Sequence, residues 1–138
     1  MKFYLFAVAL VAAACAPSAP SDVSGRWNVQ HIAGASLGEG VDIWFEIDAD
    51  TQRIAGFTGC NNFSADLAGF ENALSIGPVS EETGECASEA ARTDETRFLL
   101  VLPNVQRTIV HGDALEMTDA QRGPDALIRA RRVETAGG

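Results

Sequence analysis

From Gly25 onward the chain repeats short runs in which every second residue is apolar, with turn residues between them. That is the period of half-buried β-strands. Gly25 to Ile32 sets Trp27, Val29 and His31 on one face. In Asp42 to Asp48, Ile43, Phe45 and Ile47 alternate with Asp42, Trp44, Glu46 and Asp48. Asp50-Thr51-Gln52 turns the chain into a strand over Arg53 to Thr58. Asn62 to Leu67 reads as a short irregular strand, and Ala73 to Val79 as another with Leu74 and Ile76 on one face. Three more runs follow, Val105 to His111, Ala114 to Asp119 and Ala126 to Arg132. Gly112-Asp113 between the first two predicts a tight hairpin, and Asp119 to Pro124 the next turn. In the last run Ala126, Ile128 and Ala130 alternate with Leu127, Arg129 and Arg131. The arginines from Arg129 to Arg132 suit an edge strand, where charge discourages stray pairing.

One segment has the helical period instead. Ala91, Glu95, Phe98, Leu99 and Leu102 fall on one helical face. Ser88 is placed to cap that helix, Glu89 puts an acid in its first turn, and Pro103 stops it. The expected fold class is therefore α+β: a strongly bent antiparallel sheet, a partial or open β-barrel of about seven or eight strands, plugged by one packed helix. Phe98 to Leu102 would press into the open side of the sheet.

The first residues have a different character. Met1-Lys2 gives a basic start, and Phe3 to Ala14 is almost wholly apolar. Twelve such residues are too few for a spanning helix, which needs roughly 20, but they suit the apolar region of a cleaved signal. Ala12-Ala13-Ala14 then precedes Cys15. This resembles the lipobox of bacterial lipoproteins, whose cysteine is acylated and becomes the new N-terminus, although Ala12 stands where leucine is usual. An ordinary secretory signal cut after a small-residue site is the competing reading. The expected organisation is a lipoprotein signal peptide over 1–14, lipidation of Cys15, a flexible tether over 15–24, a folded domain over 25–132, and a disordered tail over 133–138. Several acyl chains give stable membrane anchoring where one does not. Ala16, where lipoproteins kept at the inner membrane carry Asp, implies an outer-membrane anchor with the domain facing the periplasm.

Composition narrows the partners. The 138 residues fit one domain, and the formal net charge is −9. Lys2 is the only lysine, so nine arginines face nineteen acidic residues after the signal. Such a surface is repelled by phosphate backbones, which argues against nucleic acid as a partner. Apart from Cys15 the cysteines are Cys60 and Cys86. In an oxidising compartment one pair points to a disulfide, with unpaired buried thiols or metal or redox chemistry as the alternatives. Closing that loop would contribute roughly 3–4 kcal/mol on chain-entropy grounds.

Five pieces carry a family resemblance. They are Trp27 in the first strand; Ile54-Ala55-Gly56 leading into Gly59-Cys60-Asn61 with Asn62-Phe63; Thr83 and Cys86 as Thr-x-x-Cys; Glu95, Phe98, Leu99 and Leu102 as Glu-x-x-Phe-Leu-x-x-Leu; and Gly112-Asp113 with Leu115 as Gly-Asp-x-Leu. Together they resemble the META/HslJ-like family of bacterial envelope proteins over roughly residues 25–132. The segment Ser64-Ala65-Asp66-Leu67 and the last strand both lack an aromatic that the family often has. The resemblance implies an open barrel-like sheet with a helix, and it implies no catalytic residues and no cofactor.

Candidate chemistry is sparse. Gly59, Cys60, Asn61 and Asn62 have a structural reading as a tight turn and a functional reading as a ligand contact. His31 and His111 sit on separate strands. Glu81, Glu82 and Glu85 form an acidic loop whose spacing matches no calcium loop, and Trp44 shares a strand face with Asp42, Glu46 and Asp48. No zinc signature, triad motif or phosphate loop occurs. The expectation is a non-enzymatic envelope lipoprotein domain with an accessory or binding role in envelope integrity or in tolerance of heat or antibiotics. Its partners would be the membrane, through the lipid, and an envelope protein or an apolar ligand. Carriage of an apolar ligand would need a cavity lined by Phe45, Phe57, Phe63 and Phe98. Protein binding would resemble that of the pilot lipoproteins of secretion systems.

Overall fold

The computed structural model describes residues 22–69, 73–121 and 125–134. The expected signal peptide over 1–14, Cys15, the tether as far as residue 21 and the tail beyond residue 134 lie outside the described residues. The strands are β1 (Gly25–Ile32), β2 (Ala35–Ser36), β3 (Trp44–Asp48), β4 (Arg53–Phe57), β5 (Asn62–Ala68), β6 (Ser75–Ile76), β7 (Ser80–Glu81), β8 (Arg107–His111), β9 (Ala114–Thr118) and β10 (Ile128–Arg132). One helix, α1 (Glu89–Val101), runs into a 3-10 turn over Leu102–Asn104. All pairings are antiparallel, in the order β6-β5-β4-β3-β1-β10-β9-β8, with β2 added to β1 and β7 to β5. The result is the expected α+β fold, a strongly curled half-barrel whose concave side receives α1.

β3 follows its alternation closely: Phe45 and Ile47 are buried, Glu46 and Asp48 exposed. β1 does not. Val29 pairs with Ala130 but His31 pairs with Arg129, so one extra residue sits in β1 between them. That bulge shifts the phase of the strand, leaving His31 half-buried and turning Ile32 fully inward. β5 is not short or irregular. It is a seven-residue strand with β4 on one side, and Phe63, Ala65 and Leu67 point into the core. The strand expected over Ala73 to Val79 shrinks to Ser75–Ile76. Gly77 N–H donates to Asp66 O (2.9 Å), and Pro78 cannot extend a ladder, so pairing with β5 resumes only at Ser80–Glu81.

β10 is not an edge strand. It lies between β1 and β9, and its arginines have other work. Arg129 pairs with Glu116 (3.3 Å) and Arg131 with Asp113 (2.8 Å) on the outer face. Arg132 lies over the Trp27 ring (4.3 Å) and donates to the carbonyls of Ser24 (2.7 Å) and Asp22 (2.6 Å). Trp27 Nε1 in turn donates to Val23 O (2.8 Å), and Val133 N–H to Arg26 O (2.9 Å). Asp22 to Ser24, expected in the tether, and Val133, expected in the tail, therefore belong to the folded unit. The true edges are β8 at one end and the two-residue strands β6 and β7 at the other. A bond from Leu74 N–H to Gln106 O (2.9 Å) joins the two ends of the sheet at one point.

The helix begins as expected, with Ser88 Oγ accepting from Ala91 N–H (3.1 Å). Phe98 and Leu102 are fully buried, and Leu99 packs partly against the core. The ring of Phe98 stacks on Phe45 (centroids 6.4 Å apart) and meets Phe63 edge-on (5.4 Å). The helix ends at Val101. That is where Pro103 is expected to stop it, and a single 3-10 turn over Leu102–Asn104, with Pro103 in its first positions, carries the chain out of the helix.

Candidate functional site

The Gly59-Cys60-Asn61 turn joins β4 to β5 at the end of the half-barrel opposite the β3–β4 turn. Gly59 has φ 96°, a conformation that favours glycine. Thr58, fully buried, organises the turn. Its hydroxyl accepts from the N–H groups of Asn61 (3.0 Å) and Cys60 (3.3 Å) and donates to the Glu95 carboxylate on α1. Its own N–H donates to Asn61 O (2.9 Å). Asn61, nearly as buried, donates from Nδ2 to Glu95 Oε2 (3.1 Å). The turn is thus tied to the helix through one carboxylate.

A covalent tie lies beside it: Cys60 and Cys86 form a disulfide with Cα atoms 4.6 Å apart. Glu95 Oε1 is 3.9 Å from the Cys86 sulfur. Cys60, Cys86 and Glu95 bring three potential metal-ligating atoms within 4.8 Å of one another. The S–S bond, however, uses both sulfurs that zinc would require as thiolates. With the cysteines 26 positions apart, the bond restricts the unfolded chain substantially. Replacing both with serine is expected to lower the unfolding free energy by about 3 kcal/mol. Urea denaturation checks this, and a loss below about 1 kcal/mol would assign the pair no stabilising role.

The acidic loop faces the same site. Glu82 accepts from Asn62 Nδ2 (3.2 Å). Burial, and then the neighbouring charge of Glu95, push the Glu81 carboxyl above the ordinary glutamate range. At the opposite end, Asp48 is held below the usual aspartate value by hydrogen bonds from the backbone and side chain of Thr51, partly offset by desolvation. The signs differ. Glu81 favours folding at low pH and loses that contribution as pH rises through its raised value, whereas Asp48 favours folding at higher pH and loses it as pH falls through its lowered one. Carbon-detected carboxyl titration is expected to find Glu81 above and Asp48 below the ordinary glutamate and aspartate ranges. The reverse order would contradict the placement of both.

A second polar tie was not foreseen. Asp94 is buried at 3% exposure on the helix face toward the sheet, where it accepts from Gly38 N–H (2.6 Å) and pairs with Arg97 (3.2 Å). Arg97 also donates to Ile32 O (2.9 Å). The spacing of Asp94 from Ala91 and Phe98 carried the signal, but an acid inside an apolar stripe reads as solvent-facing until its partners are known.

The remaining sequence candidates are dispersed. Ladder steps run from His111 through Ala114 and Arg131 to Asn28, so His111 and His31 are separated by two intervening strands. Trp44 is half-buried on the convex face under the Arg26 guanidinium (3.7 Å). It borders an open groove of about 440 Å³ with Glu46, Asp48, Arg53 and Asn62. Of the four phenylalanines expected around a cavity, Phe45, Phe63 and Phe98 are in ring contact or buried together, and Phe57 is half-buried at the end of β4. They fill the interior.

The fold is similar to two structures solved by NMR. One, a protein from Burkholderia xenovorans, superposes with TM-score 0.62 at 17% identity and covers 81% of this chain and 83% of its own. The other gives TM-score 0.59 at 13% identity over 79% of this chain and 89% of its own. No curated protein matches the sequence. The META domain model matches residues 21–132, and the matched span holds the Gly-Cys-Asn turn, its cystine and its helix carboxylate: the chain belongs to the META domain family.

Proposed function

We propose that this chain is a non-enzymatic, lipid-anchored domain of the cell envelope that works by holding an envelope protein on its surface, in support of envelope integrity under heat or antibiotic stress. The observation that carries this reading is the filled interior: Phe45, Phe63 and Phe98 occupy with their own rings the space that an apolar ligand would need. The polar groups of the family motif support it as well. Thr58, Asn61, Glu95 and the cystine satisfy one another rather than facing a cleft. Lipidation at Cys15 would hold the domain at the outer membrane. The seven residue steps from Cys15 to Asp22 reach at most about 25 Å when extended, so the start of β1 would stay close to the lipid surface. The acidic balance favours protein partners over nucleic acid.

Native mass spectrometry of the chain extracted from membranes tests the reading. The expected mass is that of the chain with its covalent lipid alone, while a non-covalently retained lipid would overturn it in favour of a carrier. A Cys15→Ala variant is expected free in the periplasm, and recovery in the membrane fraction would contradict the anchor.

A further inference from the structure

We infer that the β8 edge is a strand-addition site for an extended segment of a partner protein carrying an apolar residue and, two positions along, an acid. This rests on the surface-binding reading above and names its site. Among the described residues β8 pairs only with β9. The two-residue Gly112-Asp113 hairpin makes His111 and Ala114 the closing pair, so His111 and Ile109 direct their backbone groups toward β9. Thr108 and Val110 then direct theirs away from it. The same side of the chain already accepts one strand-like bond, from Leu74 N–H to Gln106 O, where the sheet's two ends meet. At the opposite edge, among the described residues, the two-residue strands β6 and β7 cover β5. Arg-Thr-Ile-Val-His is rich in β-branched residues, and nothing in it blunts pairing in the way that proline or a bulge would.

The outer face of this edge states the partner's chemistry. Ile109 is 40% exposed. Arg107 on one side has no counter-ion among the described residues, and His111 lies on the other. An antiparallel segment would set an apolar residue opposite Ile109 and an acid opposite Arg107. Other occupants fit less well. A second copy paired about Ile109 would place each Arg107 against the other copy's His111, with no acid in the match. The chain's own tether carries Pro17 and Pro20 and no acid between Cys15 and Ser21.

The test uses the full chain extracted from cells and a fluorescein-labelled peptide, Ser-Thr-Thr-Val-Thr-Glu-Thr-Ser, against the same peptide with Lys in place of Glu. Saturable binding is expected, roughly fivefold to tenfold weaker for the Lys peptide, and Arg107→Glu should reverse that preference. Amide exchange at Thr108 and Val110 should slow when the Glu peptide binds. Thr108→Pro should abolish binding while leaving the helix signal of the far-ultraviolet spectrum unchanged, since an edge tolerates proline. Equal affinity for the two peptides, undiminished binding by Thr108→Pro, or unchanged exchange would overturn the inference. Concentration-dependent protection of Thr108 and Val110 without peptide would assign the edge to a second copy and overturn it too. Absent peptide binding in a chain free of retained lipid would remove the β8 site alone, whereas a retained lipid would remove the surface-binding reading itself.

Discussion

Phe98→Ala is expected to lower the unfolding free energy by about 3–5 kcal/mol, enough to leave the domain largely unfolded or marginal. Phe98 is fully buried and its ring touches both Phe45 and Phe63, one from each flank of β4. No other α1 side chain contacts both of those rings in an aromatic pair. Truncation would leave a void between helix and sheet that neither element can close, because α1 is fixed elsewhere. Ser88 caps its start, Glu95 is bound to Thr58 and Asn61, and Asp94 is bound to Gly38. With those ties in place the helix cannot sink into the gap, so the cavity cost adds to the transfer cost. Urea unfolding followed by circular dichroism measures the loss. A value below about 1.5 kcal/mol would mean that the helix does not seal the sheet.

Gly56→Ala is expected to be at least as damaging, at more than about 3 kcal/mol, although it adds only one carbon. Gly56 lies on β4 opposite Phe45 on one side and Phe63 on the other. A Cβ there would stand 2.1 Å from Trp44 O and 2.6 Å from Phe45 Cα. Both obstacles are backbone, so no rotamer change relieves them. Strand β3 would have to move away from β4 at the Phe45–Gly56 step of the ladder. The φ of Gly56 is not left-handed, so the requirement is for space. The measurement is the same urea transition, together with the yield of folded protein. Wild-type stability in Gly56→Ala would show that β3 and β4 are not held this closely.

What could be read from the sequence was what depends on local period. β3, the Gly112-Asp113 hairpin and the Ser88 start of α1 all express a pattern confined to a few adjacent residues, and each stands where the pattern put it. The cystine was legible because, once Cys15 is set aside, Cys60 and Cys86 have only each other. What was hidden depends on partners distant in the chain. The bulge in β1 is invisible locally, because Trp27 and Val29 set a phase that breaks only where β10 pairs Val29 and His31 with adjacent residues. The small residues Ser64, Ala65 and Asp66 made β5 look irregular, yet they sit in the sheet between β4 and the short strands that cover it. The arginines of β10 suggested an edge, but their carboxylate partners on the hairpin and the Trp27 ring let them occupy the interior of the sheet order. In the site, Gly59, Cys60 and Asn61 were named from the motif. Thr58 and Asp94 were not, because a buried threonine or aspartate is recognisable only by the groups that satisfy it.

Ring-labelled phenylalanine NMR of the full chain, titrated with palmitate, tests most directly whether the half-barrel is filled by its own helix. Cross-relaxation from the Phe98 ring to both Phe45 and Phe63, unchanged at saturating palmitate, is the predicted result. Cross-relaxation between palmitate and any of those three rings, with loss of the Phe98–Phe63 contact, would contradict it.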